Sequence, residues 1–112
     1  MLGRLVRKLC HALAKGYPLD RPLLSQLLRC STSVGANIRE AKYAESRKDF
    51  IHKLKVAEKE LAETYYWIGL LESEPSVLPP EIQEIEVCAQ HVLKMLSRTI
   101  AKLRENSATP SN

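Results

Sequence analysis

Apolar residues recur at three- and four-residue steps through four separate stretches of this chain, and nowhere do they alternate with the two-residue period of a strand. That pattern restricts the chain to helices with one buried face each. Leu2, Leu5, Val6, Leu9 and Leu13 share a face of a first helix, which Gly16-Tyr17-Pro18 ends. Asp20 as N-cap and Pro22 in the first turn open a second helix, whose buried stripe is Leu24, Leu27, Ser31, Val34, Ile38 and Ala41. Ser46 with Asp49 three residues later reads as a capping box for a third helix, the longest at roughly 27 residues. Its stripe is Phe50, Leu54, Ala57, Leu61, Tyr65, Ile68 and Leu71. The prolines between Glu74 and Pro80 mark a loop, and Pro80 opens a fourth helix with Ile82, Ile85, Ala89, Val92, Leu96, Ile100 and Leu103 inward.

Short connections make sequential neighbours antiparallel, so the expected fold is all-α, an up-down-up-down four-helix bundle. At 112 residues there is one core to build. Residues 1–105 form that domain, and 106–112 read as a disordered tail. The small residues Ser31, Ser33, Gly35 and Ala36 predict that another helix approaches the second one closely at their level.

Composition excludes several classes. With 45% hydrophobic and 27% charged residues the chain can offset its ordering entropy, which excludes disorder for most of its length. No apolar run is long enough to span a membrane, and Arg4, Arg7 and Lys8 spoil a signal peptide, so a cytoplasmic location is expected with no membrane partner. Cys10, Cys30 and Cys88 form no C-x-x-C pair and read as reduced, buried thiols. Cys88 and His91 could join Cys10 or His11 at a metal ion, but so loose a pattern arises readily by chance, and no metal or cofactor is expected.

The chain carries a formal +4, unevenly spread. Residues 1–42 hold eight Lys/Arg against two acids, and residues 43–112 hold nine against eleven. Such asymmetry favours a polyanionic partner.

The run S-V-G-A-N-I-R-E-A from Ser33 to Ala41, then A-E-S-R-K-D-F-I-H-K-L from Ala44 to Leu54, then E-L-A-E-T-Y-Y-W-I-G-L-L from Glu60 to Leu71, resembles the bacterial four-helix-bundle family, also called the large-subunit rRNA intervening-sequence protein family. The likeness covers about Leu23 to Leu71 closely and the flanking helices loosely. It implies a compact bundle that assembles into a ring, most often a pentamer, without known catalytic activity. A related branch is the accessory protein of diversity-generating retroelements, a basic pentamer that binds nucleic acid and its reverse transcriptase. Two departures stand out: the first helix begins at Met1 without the aromatic-rich turn usual upstream, as in a truncated start, and Val77-Leu78 replace a common Gly-Tyr pair.

Three helices present basic stripes free of acids: Arg4, Lys8, His11 and Lys15; Lys48, His52, Lys55 and Lys59; His91, Lys94, Arg98 and Lys102. The bland reading is a solvated outer face, which every bundle needs. The sharper one is phosphate binding, because a surface tuned only for solubility mixes signs. The nucleic-acid-binding set is Arg4, Lys8, Lys15, Lys48, Lys55, Lys59, Lys94, Arg98 and Lys102. Asn37, Glu40, Glu60, Glu63 and Thr64 flank the buried stripes of the second and third helices and read as a polar network within the bundle or between subunits. No His or metal-ligand spacing accompanies these carboxylates, so no catalytic residue is named. Tyr65, Tyr66 and Trp67 read as core and interface aromatics.

The expected function is a non-enzymatic, homo-oligomeric scaffold that holds RNA, DNA or a nucleoprotein partner such as a reverse transcriptase. One rival is a pure assembly module without nucleic acid. Another is an RNase of the HEPN type, for which Arg47 to His52 and Arg4 to His11 have the spacing, a match that chance supplies readily in a chain this rich in arginine.

Overall fold

The computed structural model describes residues 2–8, 21–72 and 80–108. These form four helices, with no strand among the described residues: α1 (2–8), α2 (Arg21–Ala41), α3 (Arg47–Glu72) and α4 (Pro80–Ala108). The predicted starts of α3 and α4 are found in place. Ser46 Oγ accepts the Asp49 N–H at 3.0 Å, while the Asp49 carboxylate reaches back to the Glu45 N–H at 3.4 Å. The first bond satisfies a backbone donor that the first turn of α3 would otherwise leave open, and the second ties down the residue before the cap. Asp20, Gly16 and Pro18 lie outside the described residues, as do Leu9 and Leu13.

Residue pairs across α2 and α3 show how the two lie. Arg29 meets Glu60 and Glu63, Cys30 meets Thr64, and Glu40 meets Lys53. Numbers rise along α2 as they fall along α3, so these helices run antiparallel. Three i to i+3 backbone bonds turn the chain between them, from Lys42 N–H to Arg39 O, Tyr43 N–H to Glu40 O and Ala44 N–H to Ala41 O, at 3.0–3.1 Å. α3 also packs along α4, and α2 and α4 do not touch through their backbones. The molecule measures 61 × 22 × 18 Å with a radius of gyration of 16.2 Å. A compact chain of this length would have about 13 Å, so the bundle is a rod.

The core lies along the predicted stripes. Leu27, Leu61, Ile68, Leu71, Ile85 and Leu96 are fully buried, each contributing about 1.5–3 kcal/mol of apolar transfer. Phe50, Tyr65, Ile38, Val92 and Leu103 are half-buried against this core rather than inside it.

Two expectations need correction. Gly35 and Ala36 are exposed, and a Cβ added at Gly35 would meet nothing within 4 Å. The buried stripe passes through Ser31 and Val34, leaving Gly35 on the outward side. Another helix does come close at this level, but on the side of Ser31, which is fully buried, and of Thr32, whose Cγ2 would sit 3.3 Å from a Cβ added at Gly3 of α1. Nor is α3 the longest helix: it has 26 residues and α4 has 29, because α4 continues through Asn106, Ser107 and Ala108 into the segment read as tail.

Candidate functional site

Two charged regions lie along α3, meeting near its middle. The first is a polar seam with α2. Arg29 reaches across to two carboxylates one turn apart, 3.5 Å from Glu60 Oε2 and in a shorter contact with Glu63. Glu63 also accepts the Trp67 indole N–H at 3.4 Å, and Gln26 Oε1 accepts the Arg29 Nε–H at 3.1 Å. Beneath them Thr64 is fully buried; its hydroxyl donates to Glu60 O at 2.9 Å and lies 3.2 Å from Cys30 Sγ. The Cys30 thiol donates in turn to Leu27 O at 3.4 Å. Burial pushes this thiol above its usual range, with the Glu63 and Glu60 charges adding to the rise against the Thr64 bond and the Arg29 charge. A protonated, enclosed thiol is a packing group and not a nucleophile.

The seam thus gathers Glu60, Glu63 and Thr64. Glu40 stands apart and pairs with Lys53 at 3.2 Å, nearer the turn. Asn37 serves its own helix, its amide donating to Ser33 O at 2.9 Å and Ser33 Oγ at 3.1 Å. Sequence reasoning missed Arg29 and Gln26, and it read Cys30 as the buried thiol it is without its contact to Thr64. The signal was available for Arg29, since two carboxylates at i, i+3 on a seam require a cation on the facing helix.

The second region is basic. Ser97 of α4 donates to Glu58 Oε2 of α3 at 3.3 Å, which sets these two levels side by side. Lys55 and Lys59 lie within one turn of Glu58, and Lys94 and Arg98 within one turn of Ser97; Lys102 follows one turn on. Lys59, Lys94, Arg98 and Lys102 are exposed, as is Lys48 farther along α3. Lys55 differs, since it is held by Glu58 at 2.7 Å. That bond, first, and then the Lys55 charge, the Ser97 bond and the Arg104 charge hold the Glu58 carboxyl below its ordinary range against partial burial. A shallow depression of about 530 Å³ runs here, lined by His52, Lys55, Val56, Glu58, Lys59 and Ala62. Arg47 is exposed and is not among the residues that line this depression with His52.

Arg4 and Lys8 are exposed on α1, while Lys15, Cys10 and His11 lie outside the described residues. Leu5 of α1 faces α4 across an open, largely apolar groove of about 960 Å³ with Val87, Cys88, His91 and Val92. Among the described residues no three His, Cys, Asp or Glu side chains converge where a metal ion could sit. No helix among them is long and apolar enough to cross a membrane. Tyr65 is half-buried with its hydroxyl enclosed and unpartnered, and burial raises its pKa. Trp67 is half-buried, and Tyr66, 61% exposed, meets it edge to face at 5.0 Å.

Among curated proteins none matches the chain. A crystal structure of a protein with unknown function from the S23 ribosomal protein family of Bacteroides thetaiotaomicron VPI-5482 superposes with a TM-score of 0.80 at 35% identity, over 88% of this chain and 90% of that one. Residues 4–98 match the family described as 23S rRNA-intervening sequence protein, which spans α1 through most of α4. With the three linked motifs of α2 and α3 inside that span and the same helical fold in a relative, the chain belongs to the 23S rRNA-intervening sequence protein family.

Proposed function

We propose that the chain is a non-enzymatic scaffold, an up-down-up-down bundle that assembles with copies of itself into a closed ring of five and holds structured RNA through its basic helix faces. A nucleoprotein such as a reverse transcriptase with its RNA is a partner of the same chemistry, and the cytoplasm is the setting. The observation that supports this reading is the bond between Ser97 and Glu58, which brings the basic stretches of α3 and α4 together at one level of the rod. Lysines and arginines so placed displace counterions from a phosphate backbone without reading its sequence. Five copies at +4 each would carry +20 on one body, giving many weak contacts whose avidity exceeds any one of them.

Assembly has its own support. Tyr66, Leu70, Val87 and Met95 are large apolar side chains left exposed, more than a small rod gains from keeping in water. They favour self-association in the rival reading too, a pure assembly module, so the nucleic-acid test must separate the two.

Fluorescence anisotropy with a labelled hairpin RNA and a matched DNA duplex, across a salt series, does so. Binding is expected to weaken by orders of magnitude between about 50 and 200 mM salt if six or more phosphates are engaged. Replacing Lys94, Arg98 and Lys102 together by Gln should lower both affinity and salt slope while helicity and oligomeric mass stay unchanged. Absence of binding to either ligand at micromolar protein and low salt leaves the assembly module, and light scattering that returns a mass near 12.7 kDa removes the ring.

A further inference from the structure

The α2–α3 turn carries a side chain that the core does not use. Tyr43 is 76% exposed, the most exposed of the large hydrophobic residues described. The other described aromatics are engaged: Phe50, Tyr65 and Trp67 pack on the core, and Tyr66 meets Trp67. Tyr43 has no ring partner among the described residues, yet its backbone is fixed. The three turn bonds around it and the Ser46 cap just beyond hold the segment tightly, so the ring stands on a rigid mount.

Its surroundings are positive. Arg39 and Lys42 at the end of α2, and Arg47 and Lys48 at the start of α3, are exposed and in no ion pair among the described residues. The acids nearby are largely committed, Glu40 to Lys53 and Asp49 to the cap, which leaves Glu45 against four cations. A flat ring on a fixed support among unpaired cations is the combination that binds unpaired nucleotides: cations take the phosphates and the ring stacks on a base of any identity.

We infer that Tyr43 is a stacking platform for an unpaired base, with Arg39, Lys42, Arg47 and Lys48 holding the adjoining phosphates. The ligand class is therefore a nucleic acid with a looped or single-stranded segment. A paired helix hides its base faces within the stack, where Tyr43 cannot reach them. This inference rests on the nucleic-acid reading and narrows it.

The test uses the full chain and two labelled probes at one salt concentration, a single-stranded RNA and a long perfectly paired RNA duplex in which ends are few. Tyr43→Ala is expected to weaken single-strand binding about tenfold or more and duplex binding by less than about twofold. Tyr43→Phe should match the wild type on both, because the ring and not the hydroxyl stacks. Circular dichroism and thermal unfolding should be unchanged in both variants, as expected of so exposed a side chain. Equal losses on the two probes, or no loss on the single strand, overturn the platform while leaving nucleic-acid binding standing. Failure of the wild type to bind either probe overturns both.

Discussion

The two charged regions of α3 use the same kinds of residue to opposite effect. At the α2 seam, Glu60 and Glu63 are answered by Arg29, with Trp67 and Gln26 completing the set and the Thr64–Cys30 pair enclosed below. Against this, Lys48 and Lys59 with Lys94, Arg98 and Lys102 of α4 stand exposed with no carboxylate bound to them among the described residues. Charge that is neutralised inside the fold sets how helices align; charge left unanswered is available to something else. A carboxylate pair and a lysine stripe look equally suggestive along the chain, and the facing helix is what separates them.

The sharpest way to break the comparison is to empty the layer under the seam. Leu61 is fully buried between Glu60 and Glu63 in sequence, and Leu61→Ala removes its transfer energy and leaves a cavity, at a cost of about 2–5 kcal/mol. Urea unfolding should show that loss as a lower midpoint with an unchanged slope. A change below about 1 kcal/mol would mean that α2 and α3 are not held together by this core.

A smaller effect tests the charges themselves. Arg29→Ala leaves two carboxylates facing each other without a counter-charge, and because all three side chains are partly exposed the loss should be about 1 kcal/mol. Glu63→Gln in the Arg29→Ala background should restore part of it, and a double-mutant cycle reads the coupling. RNA affinity should stay within about twofold of wild type. A large loss of affinity in Arg29→Ala would merge the two regions and undo their contrast.

Periodicity carried most of the fold because each helix buries one face. Leu24, Leu27, Val34, Leu54, Leu61, Ile85 and Leu96 lie where three- and four-residue steps put them. The Ser46 cap was legible because its chemistry is local. Gly35 was misread, since a small residue permits close approach only on a face turned toward another helix, and the face is set by packing. Arg29 was missed for the converse reason: its partners lie more than thirty residues away in sequence.

The smallest effect concerns Glu58, a carboxylate paired with Lys55 at the basic level of α3 and α4. Its pKa is lowered in the folded chain, chiefly by the Lys55 hydrogen bond, from an ordinary value of 4.5. A depressed carboxylate stabilises the fold while it is ionised in both states, so this contribution is complete above about pH 4.5 and is lost as pH falls through the lower folded value. The pair is partly exposed, with Lys55 42% and Glu58 25% accessible, which limits the contribution to about 0.5 kcal/mol. Glu58→Gln should therefore flatten the acid limb of the stability profile slightly and leave stability above pH 6 lower by that amount. It should also free Lys55 and raise RNA affinity at neutral pH by a small factor, since one more cation faces the ligand. An affinity that falls in Glu58→Gln would show that Glu58 positions this surface for its partner instead of masking one of its charges.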